Sequence, residues 1–156
     1  MIKKILVAYD GSSEAHAAFL FGLELAKKLE AELHVLSVVR MLEPPEEVEA
    51  KASFETGKDH YEKLFKLLKN DAKDAGVRFK GEVVLGHPAE QIIYHAEKVH
   101  VDIIVIAHQT RSTFGKWLLG SVPGKVVDHA HCTVVVFKEP MHMPETKPEE
   151  EENGDV

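Results

Sequence analysis

The sequence predicts one α/β domain built on a parallel β-sheet. Short β-branched apolar runs alternate with longer amphipathic segments along the chain, and the run Ile103–Ala107 is apolar on both faces, as a strand inside a parallel sheet must be. A length of 156 residues suits one domain with its own core.

Ile2–Tyr9 reads as a first strand, stopped by Asp10-Gly11-Ser12-Ser13. A helix follows, with Ala15, Ala18, Phe19, Gly22, Ala26 and Leu29 on one face and Ser12 or Ser13 as its N-cap. Leu33–Val39 is the second strand, and Met41–Glu47, with Pro44-Pro45, is a loop. From about Glu46 to Ala75 the chain is charged but sets Phe54, Tyr61, Leu64, Phe65, Leu68 and Ala72 on one face. This is a long helix ended by Gly76.

Val77–Leu85 alternates as a third strand, and Gly86-His87-Pro88 turns the chain into a helix presenting Ala89, Ile92, Ile93 and Ala96. Asp102–Ala107 is a fourth, central strand, Ser121–Ala130 a last helix and Cys132–Phe137 a fifth strand. Strict β/α alternation demands right-handed crossovers, so helices cover both faces of the sheet. The expected architecture is a Rossmann-like domain over residues 1–138. Residues 139–156 have no apolar period and are expected to form a disordered acidic tail.

Apolar residues make up 44% of the chain and charged residues 29%, an ordinary soluble balance. No apolar run approaches the roughly 20 residues that span a bilayer, so no membrane partner is expected. The single cysteine, Cys132, suits a reducing compartment, and the expected home is the cytoplasm. The net charge is −7, of which −6 lies between Glu139 and Val156. The remaining body is near neutral and has no basic stripe to track a nucleic-acid backbone.

Ligands of open α/β sheets bind outside the carboxyl ends of the strands, where the strand order reverses. That directs attention to Asp10-Gly11-Ser12-Ser13 and to the connector His108–Gly120, whose 13 residues far exceed the usual βα loop of about 2–6. Gly120-Ser121 opens a helix there, so main-chain N–H groups and a hydroxyl face the place where an anion would rest.

Three segments carry a more specific signal: Ile5-Leu6-Val7-Ala8-Tyr9-Asp10-Gly11-Ser12, Leu118-Leu119-Gly120-Ser121-Val122, and Lys125-Val126-Val127-Asp128-His129-Ala130-His131-Cys132. In this order and spacing they resemble the universal stress protein family, over residues 2–137. The resemblance implies strand order 3-2-1-4-5, a homodimer paired through the fifth strand, Cys132–Phe137, and, in one branch, ATP across the first and fourth strand ends, with Mg or Mn as counter-ion. It implies Asp10 and Gly11 on the ribose and phosphate side and the Val38 backbone at the adenine edge. Gly120, Ser121 and Val122 would lie on the phosphates.

The ATP-binding branch carries Gly-x-x-Gly, nine residues, then Gly followed by Ser or Thr. Here the leading glycines are replaced by Ala107 and Thr110, while Gly120, Ser121 and Val122 are intact. Glycine permits positive φ and close backbone approach to phosphate, so Ala107 costs little if its φ is negative, whereas a positive φ would strain Thr110. His108, Arg111, Ser112, Thr113 and Lys116 are able to contact phosphate through their side chains, so a reshaped anion site and an abandoned one both stay open.

Asp10 can also be read as a turn residue that starts a helix, and Ser12 and Ser13 as caps rather than nucleophiles. His129-x-His131-Cys132 has three donors at a helix end but no fourth, so no metal site is assigned. His16, His60, His95 and His100 are read as helix-face residues. No Gly-x-x-x-x-Gly-Lys-[Ser/Thr] loop, carboxylate pair or triad is legible, which leaves slow ATP hydrolysis as the most an enzyme reading could claim. Two readings stay open: an ATP-binding regulatory module acting as a homodimer, and a stress-response interaction protein that takes no nucleotide.

Overall fold

The computed structural model describes residues 1–40, 47–108 and 122–138. Among these, strands and helices alternate strictly: β1 (Lys4–Ala8), α1 (Ser13–Leu29), β2 (Glu32–Arg40), α2 (Glu47–Asp74), β3 (Phe79–Gly86), α3 (Pro88–Lys98), β4 (Ile103–Ala107), α4 (Val122–His129) and β5 (Thr133–Phe137). All neighbouring strands pair in parallel, in the order β3-β2-β1-β4-β5. This is the five-stranded sheet that the pattern and the resemblance lead one to expect. The expected tail, 139–156, lies outside the described residues.

Apolarity on both faces explains the layering. Ile5 and Val7 of β1 join α1 and α2 in one core with Phe19 at its centre, whereas Leu6 joins α3 and α4 in the other. Ile103, Val105 and Ala107 of β4 belong to the first core, and Ile104 and Ile106 to the second. The side-chain period of two places them so.

Several boundaries differ from the sequence reading. Three helices end in the Schellman pattern, in which the second residue past the end donates to a carbonyl five residues back. Ala31 N–H donates to Ala26, Val77 N–H to Ala72 and Val101 N–H to Ala96. Val77 thus belongs to the end of α2, and β3 starts only where Phe79 comes opposite Leu33. The left-handed residue of the pattern is Gly76 after α2, but Glu30 after α1 and His100 after α3, with φ of 55° and 57°. Ser12 is the N-cap of α1, accepting from Ala15 N–H at 3.1 Å.

A polar cluster lies between β2, β3 and α3, in which Glu32, His34 and His95 are buried and Lys80 and Glu82 are exposed. His34 Nε2 lies 2.5 Å from Glu32 Oε1, Lys80 Nζ lies 3.3 Å from the same oxygen, and His95 Nδ1 lies 3.2 Å from Glu82 Oε2. Burial, aided by His34 and Lys98 and opposed by Glu82, lowers the His95 pKa below its ordinary 6.5. Burial works to raise the Glu32 carboxyl, but hydrogen bonds from His34 and Lys80 outweigh it and hold that pKa below 4.5.

In both groups the unfolded chain takes up protons at a pH where the native group still resists them. For His95, stability is lost as pH falls below 6.5 toward the lower native value; for Glu32, it is lost as pH falls below 4.5 in the same way. The melting temperature is therefore expected to fall between about pH 7 and pH 5, and less steeply in His95→Gln. Equal slopes in the two proteins would refute the part assigned to His95.

Candidate functional site

The crevice forms because β1 and β4 are neighbours whose following helices leave on opposite faces of the sheet. Past β1 the chain turns sharply. Asp10 Oδ1 accepts from Ser12 N–H at 2.9 Å and from Ser12 Oγ at 2.6 Å, and Gly11 adopts φ +82°. Glycine is favoured at that turn because the backbone is left-handed, a conformation that side chains with a Cβ rarely adopt.

β2 outruns β1. The β1–β2 ladder ends at the pair Ala8↔Leu36, with Tyr9 N–H donating to Leu36 O at 2.9 Å. Alternate residues of a parallel strand bond to opposite neighbours; Leu33 N–H donates toward the β3 side, to Arg78 O. Val38 is in phase with Leu36, so its N–H and C=O face the side that β1 has vacated. Ser37 Oγ donates to Tyr9 O at 2.6 Å and so secures the turning chain to β2.

A cavity of about 630 Å³ occupies this space. Tyr9, Asp10, Val38 and Arg40 line it from the ends of β1 and β2, and Ile106, Ala107 and His108 from β4. Thr56, Gly57, His60 and Tyr61 of α2 form one wall; Pro88 and Ile92 of α3, with Val122 and Pro123 of α4, form another. Gly57 lets α2 approach closely, since a Cβ there would lie 2.7 Å from Val39 Cγ2. The lining is mostly apolar with a few convergent polar groups, the usual make-up of a small-molecule site.

Burial, and then the neighbouring Asp10 charge, raise the pKa of both Tyr9 and Tyr61; Arg40 opposes this at Tyr61, and Tyr9 adds to it. Both phenols are protonated donors near neutral pH, and these shifts only reinforce that. His108 N–H donates to Phe137 O at 2.8 Å, which anchors the residue after β4. Its ring Nδ1 is buried and has no hydrogen-bond partner among the described residues. An orphaned ring nitrogen at the wall of a cavity is a place where a ligand can supply the missing bond.

Of the residues singled out from the sequence, Asp10, Val38, Ala107, His108 and Val122 line this one cavity, and Gly11 sits in the turn beside it. Thr110, Arg111, Gly120 and Ser121 lie outside the described residues. Ala107 is the last residue of β4, and positive φ among described non-glycine residues is confined to Glu30 and His100. The exchange of glycine for alanine at 107 therefore carries no backbone strain.

The α2 wall has no counterpart in the sequence reading. His60, read as a helix-face residue, lines the cavity, and His95, read likewise, is buried against His34. The one available hint was Gly57 inside an otherwise sound helical pattern, a residue often kept for close packing.

The family model for the universal stress protein family matches residues 1–138. The chain is 32% identical over 143 residues to Universal stress protein MJ0531 of Methanocaldococcus jannaschii, covering 90% of this chain and 84% of that one. Among solved structures, universal stress protein UspA from Lactobacillus plantarum superposes with a TM-score of 0.77 at 26% identity, covering 87% of this chain and 97% of that one. A universal stress protein in complex with cAMP superposes at 0.71 and 22% identity, covering 88% and 98%; at that identity the likeness is one of fold alone.

Proposed function

The chain belongs to the universal stress protein family, and within it we propose an adenine-nucleotide-binding regulatory protein that takes ATP and works as a homodimer. The observation that carries this reading is the Val38 main chain, whose N–H and C=O face the cavity where β1 has ended. A donor and an acceptor side by side match the N1 acceptor and N6 amino donor of adenine. The orphaned His108 Nδ1 and the cation Arg40 add polar groups around it. The likeness to a cAMP-bound structure agrees with an adenine ligand.

Asp10 then holds the ribose hydroxyls, and Thr110, Arg111, Gly120, Ser121 and Val122 receive the phosphates. No three His, Cys, Asp or Glu side chains converge on a metal position among the described residues. Mg or Mn would thus arrive with the phosphates. The family match ends at residue 138, and we assign 139–156 as an acidic tail beyond the domain. Mass spectrometry of ligand released from the freshly purified protein, followed by calorimetry with ATP, tests the reading. Failure of ATP to bind would favour an interaction protein that needs no nucleotide.

Dimerisation rests on β5, which among the described residues is an edge strand paired only to β4. Val134, Val135, Val136 and Phe137 are only half-buried, and Val127 of the neighbouring α4 is 50% exposed. An apolar edge strand invites pairing with a second copy, which a two-fold axis supplies. Sedimentation is expected to give the dimer mass at micromolar concentration, and a monomer there would refute the assignment.

A further inference from the structure

We propose that Tyr61 is a positioning residue for the ribose: from α2 it braces the Asp10 turn, so that the Asp10 carboxylate meets the 2′-hydroxyl of the bound nucleotide. The inference rests on the nucleotide reading above and adds to it a part for α2, a helix far from the motif residues in sequence.

Contacts from its own chain and from α2 help to hold the turn. On its own chain, Ser12 donates twice to Asp10 Oδ1 and so sets the carboxylate. From across the crevice, the Tyr61 hydroxyl donates to the Asp10 carbonyl oxygen at 3.4 Å, a link between residues 51 apart. Leu64 and His60 of the same helix face Gly11, where a Cβ would lie 3.4 Å from Leu64 Cδ1 and 3.9 Å from His60 Nε2. The helix can reach this far because Gly57 seats it against Val39.

Asp10 itself is exposed, so its turn gains little from burial, and these contacts help to hold it. The Tyr61 phenol is protonated near neutral pH and able to donate, and burial moves its pKa further up from the ordinary 10. At 3.4 Å the bond is long, as hydrogen bonds of ligand-free sites often are before a ligand tightens them. Removing the hydroxyl while keeping the ring leaves the apolar wall intact but frees the carbonyl end of the turn.

The test is calorimetry on the full chain with ATP and 2′-deoxy-ATP, for the unaltered protein and for Tyr61→Phe. The unaltered protein is expected to prefer ATP. In Tyr61→Phe, ATP binding is expected to weaken about three- to tenfold, the range of one lost hydrogen bond, and 2′-deoxy-ATP binding to weaken less. The preference for ATP then shrinks while the melting temperature stays within a few degrees. A purely structural role would weaken both ligands by the same factor, and that result overturns the proposal.

Unchanged binding of both ligands by Tyr61→Phe, or equal binding of the two by the unaltered protein, also overturns it. Either leaves the nucleotide reading standing. Absence of any ATP binding by the unaltered protein overturns the nucleotide reading and the positioning role together.

Discussion

Replacing Asp10 by alanine is expected to weaken ATP binding by about tenfold to more than a hundredfold. A hydrogen bond to a charged group contributes roughly 1.5–3 kcal/mol, and each 1.4 kcal/mol is a factor of ten in affinity. Asp10 lies at the end of β1 on the cavity wall, with its carboxylate set by two bonds from Ser12. The fold should tolerate the change. Asp10 is exposed, and Ser12 keeps its own capping bond to Ala15 N–H. Asp10→Asn retains an acceptor for Ser12 and for a ribose hydroxyl, so its loss is expected to be only severalfold. Calorimetry on the three proteins decides the matter, and ATP affinity unchanged in Asp10→Ala would remove Asp10 from the site.

Phe19→Ala is expected to have the largest effect on stability. Phe19 is 0% exposed at the centre of the core shared by α1, α2 and the sheet, and its ring meets Tyr9 edge-on at 6.5 Å. Truncating a buried phenylalanine costs about 3–5 kcal/mol, because the lost transfer energy is joined by the energy of the cavity left behind. A fold of this size is stable by only about 5–15 kcal/mol. At about 2–4 °C per kcal/mol, the melting temperature should fall by roughly 6–20 °C. Phe19→Leu fills most of the space and should cost much less. Thermal unfolding followed by circular dichroism measures both. A drop of under about 3 °C in Phe19→Ala would mean that the neighbours collapse into the space.

The acid limb set by His95, by contrast, arises from groups that no local pattern distinguishes. In sequence, His95 falls on a helix face beside Ala96. In the fold it becomes a buried base, because β2 places His34 beneath α3 and β3 brings Glu82 to its ring. Burial and charge partners are properties of the packed layers, so a histidine on a helix gives no sign of which environment it will meet.

Some features are decided by a short stretch of chain through its own sterics and periodicity. The alternation of strands and helices, the two apolar faces of β4, the cap at Ser12 and the helix stop at Gly76 all belong to this class. The Asp10-Gly11 turn that stops β1 does too, whereas Val38 is singled out by the family resemblance and not by any local pattern. Even among local features, the helix ends at Glu30 and His100 escaped notice. Both take a left-handed φ that normally calls for glycine or asparagine, and they hold it because the following residues, Ala31 and Val101, are drawn back to carbonyls of the helix before them. Tertiary structure alone decided the rest. Among the described residues the Val38 edge of β2 lies beyond the β1 ladder because β1 stops four residues short of the end of β2 in the paired register. The wall from Thr56 to Tyr61 exists only because Gly57 lets α2 close onto Val39. Both depend on the relative placement of segments tens of residues apart, and no spacing within either segment encodes it.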